Sequence, residues 1–268
     1  RAPALGAPAR ALRGERQPHE AALLAGAAHG VDHLADRALR RVAVLEARIV
    51  RECDWSTFVS EAEADVFRKE QARYLQRIWA VSNGVDLDYF DPAHAFDPPY
   101  PLDKPNFVFT GTMDYPPNVD AVVWFAQDIL PLIRQTMPAA QFHIVGASPS
   151  PKVRALTSIG GVFVTGRVPD VRAYVAHADA SVAPMRIARG IQNKVLEAMA
   201  MGRPTVVTSD ALEGIHAEPG RELLLADTAE EFAHACLSAA GLSGGSLGAA
   251  ARRRVEQDYA WPALLQQF

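Results

Sequence analysis

Residues 183–202 read Ala-Pro-Met-Arg-Ile-Ala-Arg-Gly-Ile-Gln-Asn-Lys-Val-Leu-Glu-Ala-Met-Ala-Met-Gly. An apolar run over 180–183 ends here and opens into a short basic loop holding Arg186, Arg189 and Gly190. Ile191, Val195, Ala198 and Met199 then recur at helical spacing. Gly202 and Pro204 are the usual stop signals. The stretch therefore reads as strand, loop and helix, with the helix starting near residue 191. A helix N-terminus exposes free N–H groups and the positive end of the helix dipole, so it suits a phosphate. Arg186 and Arg189 just before it and Lys194 in its first turn strengthen that case. Lys194 and Glu197 stand three apart on a second face, either as a surface ion pair or as charges turned toward a ligand.

Outward from this unit the same alternation recurs. Strands are expected at 107–110, 142–145, 162–165, 180–183, 205–208 and 222–225. Helices are expected at about 118–135, 150–157, 169–177, 191–201 and 228–240. Strand–helix alternation implies an α/β domain with a parallel sheet and helices on both faces, six strands here. The strands are mostly apolar runs, as strands buried on both faces should be. In such a sheet ligands sit beyond the carboxyl ends of the strands. That puts Gly111-Thr112, Gly146, Gly166-Arg167 and 185–190 on one rim.

Upstream, residues 1–18 read as irregular or as the cut edge of something larger, and 19–53 as one long or two shorter helices. A short strand is expected at 56–60. Ser60 then caps a helix over about 61–73, with Glu63 completing a capping box. Another apolar run covers 78–81. Asn83-Gly84 marks a tight turn, and 91–105 hold five prolines and read as a linker. Downstream, 241–247 read as a flexible turn and 248–268 as a final helix.

Bulk properties narrow the function classes. Of 268 residues 49% are hydrophobic and 22% charged, an ordinary globular composition. Net charge is −4, divided as +2 over 1–80 (13 basic, 11 acidic) and −6 over 81–268 (14 basic, 20 acidic), which argues against a nucleic-acid partner. Cys53 and Cys236 have no metal-type spacing and fit a reducing compartment. No apolar run approaches the roughly 18 residues of a membrane span, and no signal peptide is read. No His, Cys or Asp cluster has ligand spacing, so no metal is expected. The first turn of the sheet, Gly111-Thr112-Met113-Asp114, lacks Gly-x-Gly-x-x-Gly, which disfavours a dinucleotide dehydrogenase.

Glu197-Ala198-Met199-Ala200-Met201-Gly202-Arg203-Pro204 resembles the donor-binding helix of the retaining GT-B glycosyltransferases of family 4 (group 1). Asn83-Gly84-Val85-Asp86 with Phe90 and Pro92 resembles the segment joining the two domains of those enzymes, and Tyr259-Ala260-Trp261 their last crossing. The first glutamate of the family's Glu-x7-Glu motif is replaced by Arg189. A narrower resemblance is to sugar transferases of bacterial exopolysaccharide loci, including those of PEP-CTERM/exosortase systems. It is carried by 53–64 (Cys-Asp-Trp-Ser-Thr-Phe-Val-Ser-Glu-Ala-Glu-Ala), 111–118 (Gly-Thr-Met-Asp-Tyr-Pro-Pro-Asn) and 189–194 (Arg-Gly-Ile-Gln-Asn-Lys).

The resemblance implies a GT-B architecture with 1–84 as the remnant of an N-terminal Rossmann-like lobe and 85–105 as linker. Residues 106–245 would be the Rossmann-like donor domain and 246–268 a C-terminal helix. It implies transfer of a hexosyl group from a UDP- or GDP-sugar to a glycan or lipid-linked acceptor, without a cofactor or metal. The location implied is cytoplasmic, with peripheral membrane contact through the N-terminal lobe. Alternatives are a nucleotide-sugar epimerase of the same fold and a non-catalytic nucleotide-binding module. The implied donor contacts are Gly111, Thr112, Gly166, Arg167, Met185, Arg186, Arg189, Gly190, Ile191, Gln192, Asn193, Lys194 and Glu197. Glu197 would accept from the ribose hydroxyls. Relatives carry a basic pair after the first strand that is missing here, which leaves Arg189 and Lys194 to meet the diphosphate. The catalytic group is open, with Arg189 and Glu197 as candidates. With most of the first lobe missing, this chain is expected to bind nucleotide but transfer sugar poorly. Arg167 either stacks on the base or is solvated beside a helix-capping Asp170. Asn118 reads as a helix cap. His143 reads as a packed core histidine, and His216 as a weak candidate for the rim.

Overall fold

The computed structural model describes residues 33–188, 190–241 and 245–265. Two compact units divide between Ser82 and Asn83.

In the first unit α1 (His33–Glu52) is followed by β1 (Ser56–Phe58), α2 (Glu61–Glu70), a 3-10 turn (Ala72–Arg77) and β2 (Ile78–Ala80). The strands pair in parallel. The Ser60 hydroxyl accepts from the Glu63 N–H, as the cap signal implied. α2 stops three residues short of the expected end, because Gln71 leaves helical geometry and the chain tightens into the 3-10 turn. Val50, Ala64 and Ile78 form a small core, with Phe58 and Phe67 packed at 4.3 Å.

In the second unit β3 (Asn106–Thr110), β4 (Gln141–Val145), β5 (Val162–Gly166), β6 (Ala180–Ala183), β7 (Thr205–Val207) and β8 (Leu224–Leu225) form one parallel sheet ordered β5-β4-β3-β6-β7-β8. The six-stranded α/β expectation therefore holds. Every residue of β3, β4, β6 and β7 is buried, which explains why they are mostly apolar; Asn106, Thr110, Gln141, His143, Ser181 and Thr205 are the buried polar residues among them. The connecting helices are α3 (Pro116–Trp124), α4 (Leu130–Thr136), α5 (Pro151–Ala155), α6 (Arg172–Ala176), α7 (Asn193–Ala200), α8 (Ser209–Leu212), α9 (Ala229–Gly241), α10 (Ser246–Asp258) and α11 (Trp261–Leu265). Phe107, Phe125, Phe142 and Phe232 sit at the centre of the main core.

Several boundaries differ from the sequence reading for local reasons. α3 and α4 are one helix interrupted by a π turn over Phe125–Ile129, where Leu130 N–H reaches the Phe125 carbonyl. Pro131 follows directly, and a wider turn makes room for a ring that would collide with an α-helical carbonyl. α6 starts at Arg172 rather than 169, because the Asp170 carboxylate accepts from the Arg172 N–H and side chain and turns the chain first. Thr208 belongs to no strand and caps α8 through the Ala211 N–H. β8 is only two residues long; the Glu222 carboxylate instead accepts from Arg254 and from the Glu218 N–H. The C-terminal helix is two helices, broken at Tyr259, whose carbonyl accepts from the Val85 N–H. Residues 242–244 of the expected turn lie outside the described residues.

Candidate functional site

The chain builds this sheet outward from β3 through β4 to β5, then returns to lay β6 against the other side of β3. The connections after β3 and β6 therefore leave in opposite directions, and a crevice opens between their carboxyl ends. Gly111-Thr112 forms one wall and residues 184–188 and 190–192 the other. At the rim Gly111 N–H donates to the Val145 carbonyl and Met113 N–H to that of Ala147. A Cβ on Gly146 would lie 1.7 Å from the Gly111 carbonyl oxygen, so only glycine allows these turns to meet. The second wall is pinned by the Thr208 hydroxyl, which donates to the Met185 carbonyl at 2.5 Å.

Lys194 crosses this crevice. Its Nζ donates to the Asn118 Oδ1 at 2.6 Å, sits 4.5 Å from the centre of the Phe109 ring and lies 3.9 Å from the Met185 sulfur. The contacts are neutral, and burial pushes its pKa down to about 8, with the Glu197 charge only partly opposing. Asn118 is buried in the first turn of α3 and is not its cap; Tyr115 holds the cap position, and the Asn118 amide donates to the Thr112 carbonyl at 2.9 Å.

α7 begins at Asn193, two residues later than its apolar stripe suggests, because Gly190 takes a left-handed φ of +67° and Gln192 is extended. Gln192 supplies no side-chain cap, and its amide donates to the Gly190 carbonyl instead. One turn into α7 is Glu197. Burial holds its pKa above the ordinary carboxylate value, and Lys194 works against that rise. The surface ion pair with Lys194 is not formed: among the described residues the Glu197 carboxylate has no salt bridge or hydrogen bond. What remains is a partly buried cation held by Asn118 and a partly buried carboxylate one turn along the same helix, each acting on the other's charge without contact.

The other expected contacts divide. Arg186 is bound bidentately by Asp120 of α3, at 2.7 and 3.0 Å, and lies over the Trp124 ring, so it latches the loop to α3. Asn193 accepts from the Asn83 amide at 2.9 Å, and Ile191 packs on the main core. Met185 is buried beneath Lys194, while Thr112 and Arg167 are exposed on the rim. Gly166 lies at the end of β5 with a φ of +70°. Arg189 lies outside the described residues. His143 is a core residue, stacked between Tyr100 and Phe163 with Nε2 2.9 Å from the Asn106 Oδ1, and burial lowers its pKa to about 4. The exposed His216 donates its backbone N–H to the Tyr259 hydroxyl. Among the described residues no three His, Cys, Asp or Glu side chains gather as metal ligands, and no helix is long and apolar enough to cross a membrane. Sequence reasoning missed the parts played by Asn118 and Phe109; Asn118 stood in view in Pro-Pro-Asn without a sign that its side-chain oxygen faced Lys194 of α7.

The sequence profile of the family described as "Glycosyl transferases group 1" matches residues 104–240, which is 137 of 268 residues. No curated protein sequence is significantly similar to the chain. Among solved structures, a glycosyltransferase from Rickettsia africae ESF-5 superposes with a TM-score of 0.63 at 14% identity, over 90% of this chain and 66% of that one. HepE of Anabaena, solved in complex with UDP and glucose, gives 0.64 at 16%, over 85% and 64%. TarM of S. aureus, solved with Fondaparinux, alpha-GlcNAc-glycerol and UDP, gives 0.66 at 16%, over 85% and 45%. The chain thus spans 45 to 66% of the length of these structures. At such identities the likeness speaks for the fold, a GT-B type α/β domain with a six-stranded parallel sheet. The profile covers the sheet from before β3 to α9, the crevice included, and by that match the chain belongs to the group 1 glycosyl transferase family.

Proposed function

We propose that the crevice between β3 and β6 binds the nucleoside diphosphate part of a UDP- or GDP-sugar, for a retaining family 4 glycosyltransferase that moves a hexosyl group to a glycan or lipid-linked acceptor. The reading extends to a place in bacterial exopolysaccharide biosynthesis, on the cytoplasmic side of the membrane with peripheral contact through the first lobe. The observation that carries it is that Lys194 turns to Asn118 and makes no ion pair with Glu197 of the same helix, although the two charges act on each other. An ammonium held only by neutral groups is suited to a phosphate, and the uncapped start of α7 adds free N–H groups and a positive dipole end. A carboxylate without a partner can accept from two vicinal ribose hydroxyls. Negative charge grows on the departing phosphate oxygen as the sugar–oxygen bond breaks, and a cation already in place stabilises it. Arg189 would supply a second, bidentate contact. The site would then need no metal. The complexes of HepE and TarM with UDP support the nucleotide class.

Calorimetry of the 268-residue chain with UDP, GDP and their sugars tests this. Binding that persists in EDTA, weakens with salt and falls in Lys194→Ala and Arg189→Ala is the expected result. Binding only with added Mg²⁺, or binding indifferent to Lys194→Ala, refutes it. Joined to a complete first lobe, the domain should release free nucleoside diphosphate in the presence of acceptor; an epimerised sugar nucleotide would mark the epimerase instead.

A further inference from the structure

Asn118 is buried, and both polar atoms of its side chain are committed. An ammonium only donates, so the oxygen must face Lys194 at 2.6 Å. A carbonyl only accepts, so the amide nitrogen must face Thr112 at 2.9 Å. A Cβ on Gly111 would come within 2.7 Å of that nitrogen, so the glycine at the end of β3 is also what leaves room for the amide. No other side chain of this length accepts from a cation at one end while donating to a backbone carbonyl at the other.

We propose that Asn118 is a positioning residue for the diphosphate: tied to the Thr112 carbonyl, it holds the Lys194 ammonium across the crevice while leaving the positive charge uncancelled. The inference rests on the nucleotide-site reading above. A carboxylate at 118 would also hold the lysine, but it would neutralise it and set an anion where phosphate must enter. Asparagine fixes the cation without competing for it. The groups facing the ammonium from other elements, Asn118, Phe109 and Met185, do not titrate; Glu197 on its own helix is the carboxylate acting on it.

The test compares Asn118→Asp and Asn118→Ala with the parent chain, titrating UDP, GDP and the matching nucleosides across pH 6 to 10, with thermal melts as a fold control. Asn118→Asp should lose diphosphate affinity by about tenfold or more at pH 7, the scale of one charged hydrogen bond, and more than Asn118→Ala loses. Nucleoside binding should change little in either variant. The alkaline loss of diphosphate affinity, expected in the parent from about pH 8, should move to higher pH in Asn118→Asp. Equal losses for nucleoside and diphosphate, or an unmoved alkaline limb, would assign Asn118 a structural role only. A parent that binds diphosphate alongside variants that bind it as well overturns this inference alone. A parent that binds no diphosphate overturns it together with the nucleotide-site reading.

Discussion

Lys194 should cost the protein stability. Burial lowers its pKa from the ordinary 10.5 to about 8, so the folded state holds the proton less tightly than the unfolded chain. Stability contributed by this group therefore rises as pH climbs through the window from 8 to 10.5. Linkage gives a charging penalty of about 3 kcal/mol at pH 7, falling to about 2 kcal/mol at pH 9. Those are upper bounds, since the side chain keeps some solvent contact. Lys194→Met removes the charge at similar length but leaves the Asn118 oxygen without its donor, a loss of about 1 to 2 kcal/mol. The net expectation at pH 7 is a gain of about 1 to 2 kcal/mol, or about 3 to 6 °C in melting temperature for a domain of this size. By pH 9 the gain should have shrunk by about 1 kcal/mol. Urea denaturation of parent and variant followed by far-UV circular dichroism, at both pH values, reads this directly. A variant destabilised equally at pH 7 and pH 9 would show that Lys194 is an ordinary, well-solvated lysine, and its assignment to a phosphate would lose its physical basis.

Glu197→Gln should weaken nucleoside diphosphate binding by about 1 to 3 kcal/mol, with circular dichroism unchanged; equal affinity by calorimetry would return the residue to the surface. His143 is held neutral with a pKa near 4, so the unfolded chain takes up its proton first and stability should fall as pH drops from 6.5 toward 4, by about 3 kcal/mol through this residue. His143→Phe should flatten that limb in acid denaturation, and an unchanged limb would contradict the buried neutral state. Arg254→Ala removes the cation beside the Glu222 carboxylate, whose side chain is only 7% exposed. It should cost about 3 kcal/mol in urea denaturation, and a cost near zero would mean the pair is solvent-screened.

The sheet was legible because its central strands are buried on both faces, and a continuous apolar run such as residues 107–109 leaves little room for another reading. Element ends were less so. The start of α7 depends on the left-handed turn at Gly190 and that of α6 on the Asp170 side chain, contacts that periodicity does not encode. The rim positions were found from strand ends, but the pairing of charges across it was not. Lys194 and Glu197 share a face by spacing, yet Lys194 turns to Asn118, 76 residues away in sequence, and Arg186 to Asp120. Sequence spacing sees neighbours on one helix; it does not see which opposing side chain is nearer in the fold.

The π turn over Phe125–Ile129 bears on how this chain should be lined up with others. Such turns typically mark a single added residue absorbed within a helix, with the ladder resuming on both sides. The segments before and after it, Pro116–Trp124 and Leu130–Thr136, therefore keep the facing of a helix one residue shorter, whereas an uninterrupted α-helix of the same sequence would turn the second segment by about a hundred degrees. A homologue that lacks the extra residue would match Asn118 and Asp120 in register yet place every side chain after Ile129 one position out. A chain that lacks that residue would line up with this helix only through a one-residue gap inside 125–129. Removing one residue there should be tolerated only if Pro131 is replaced as well.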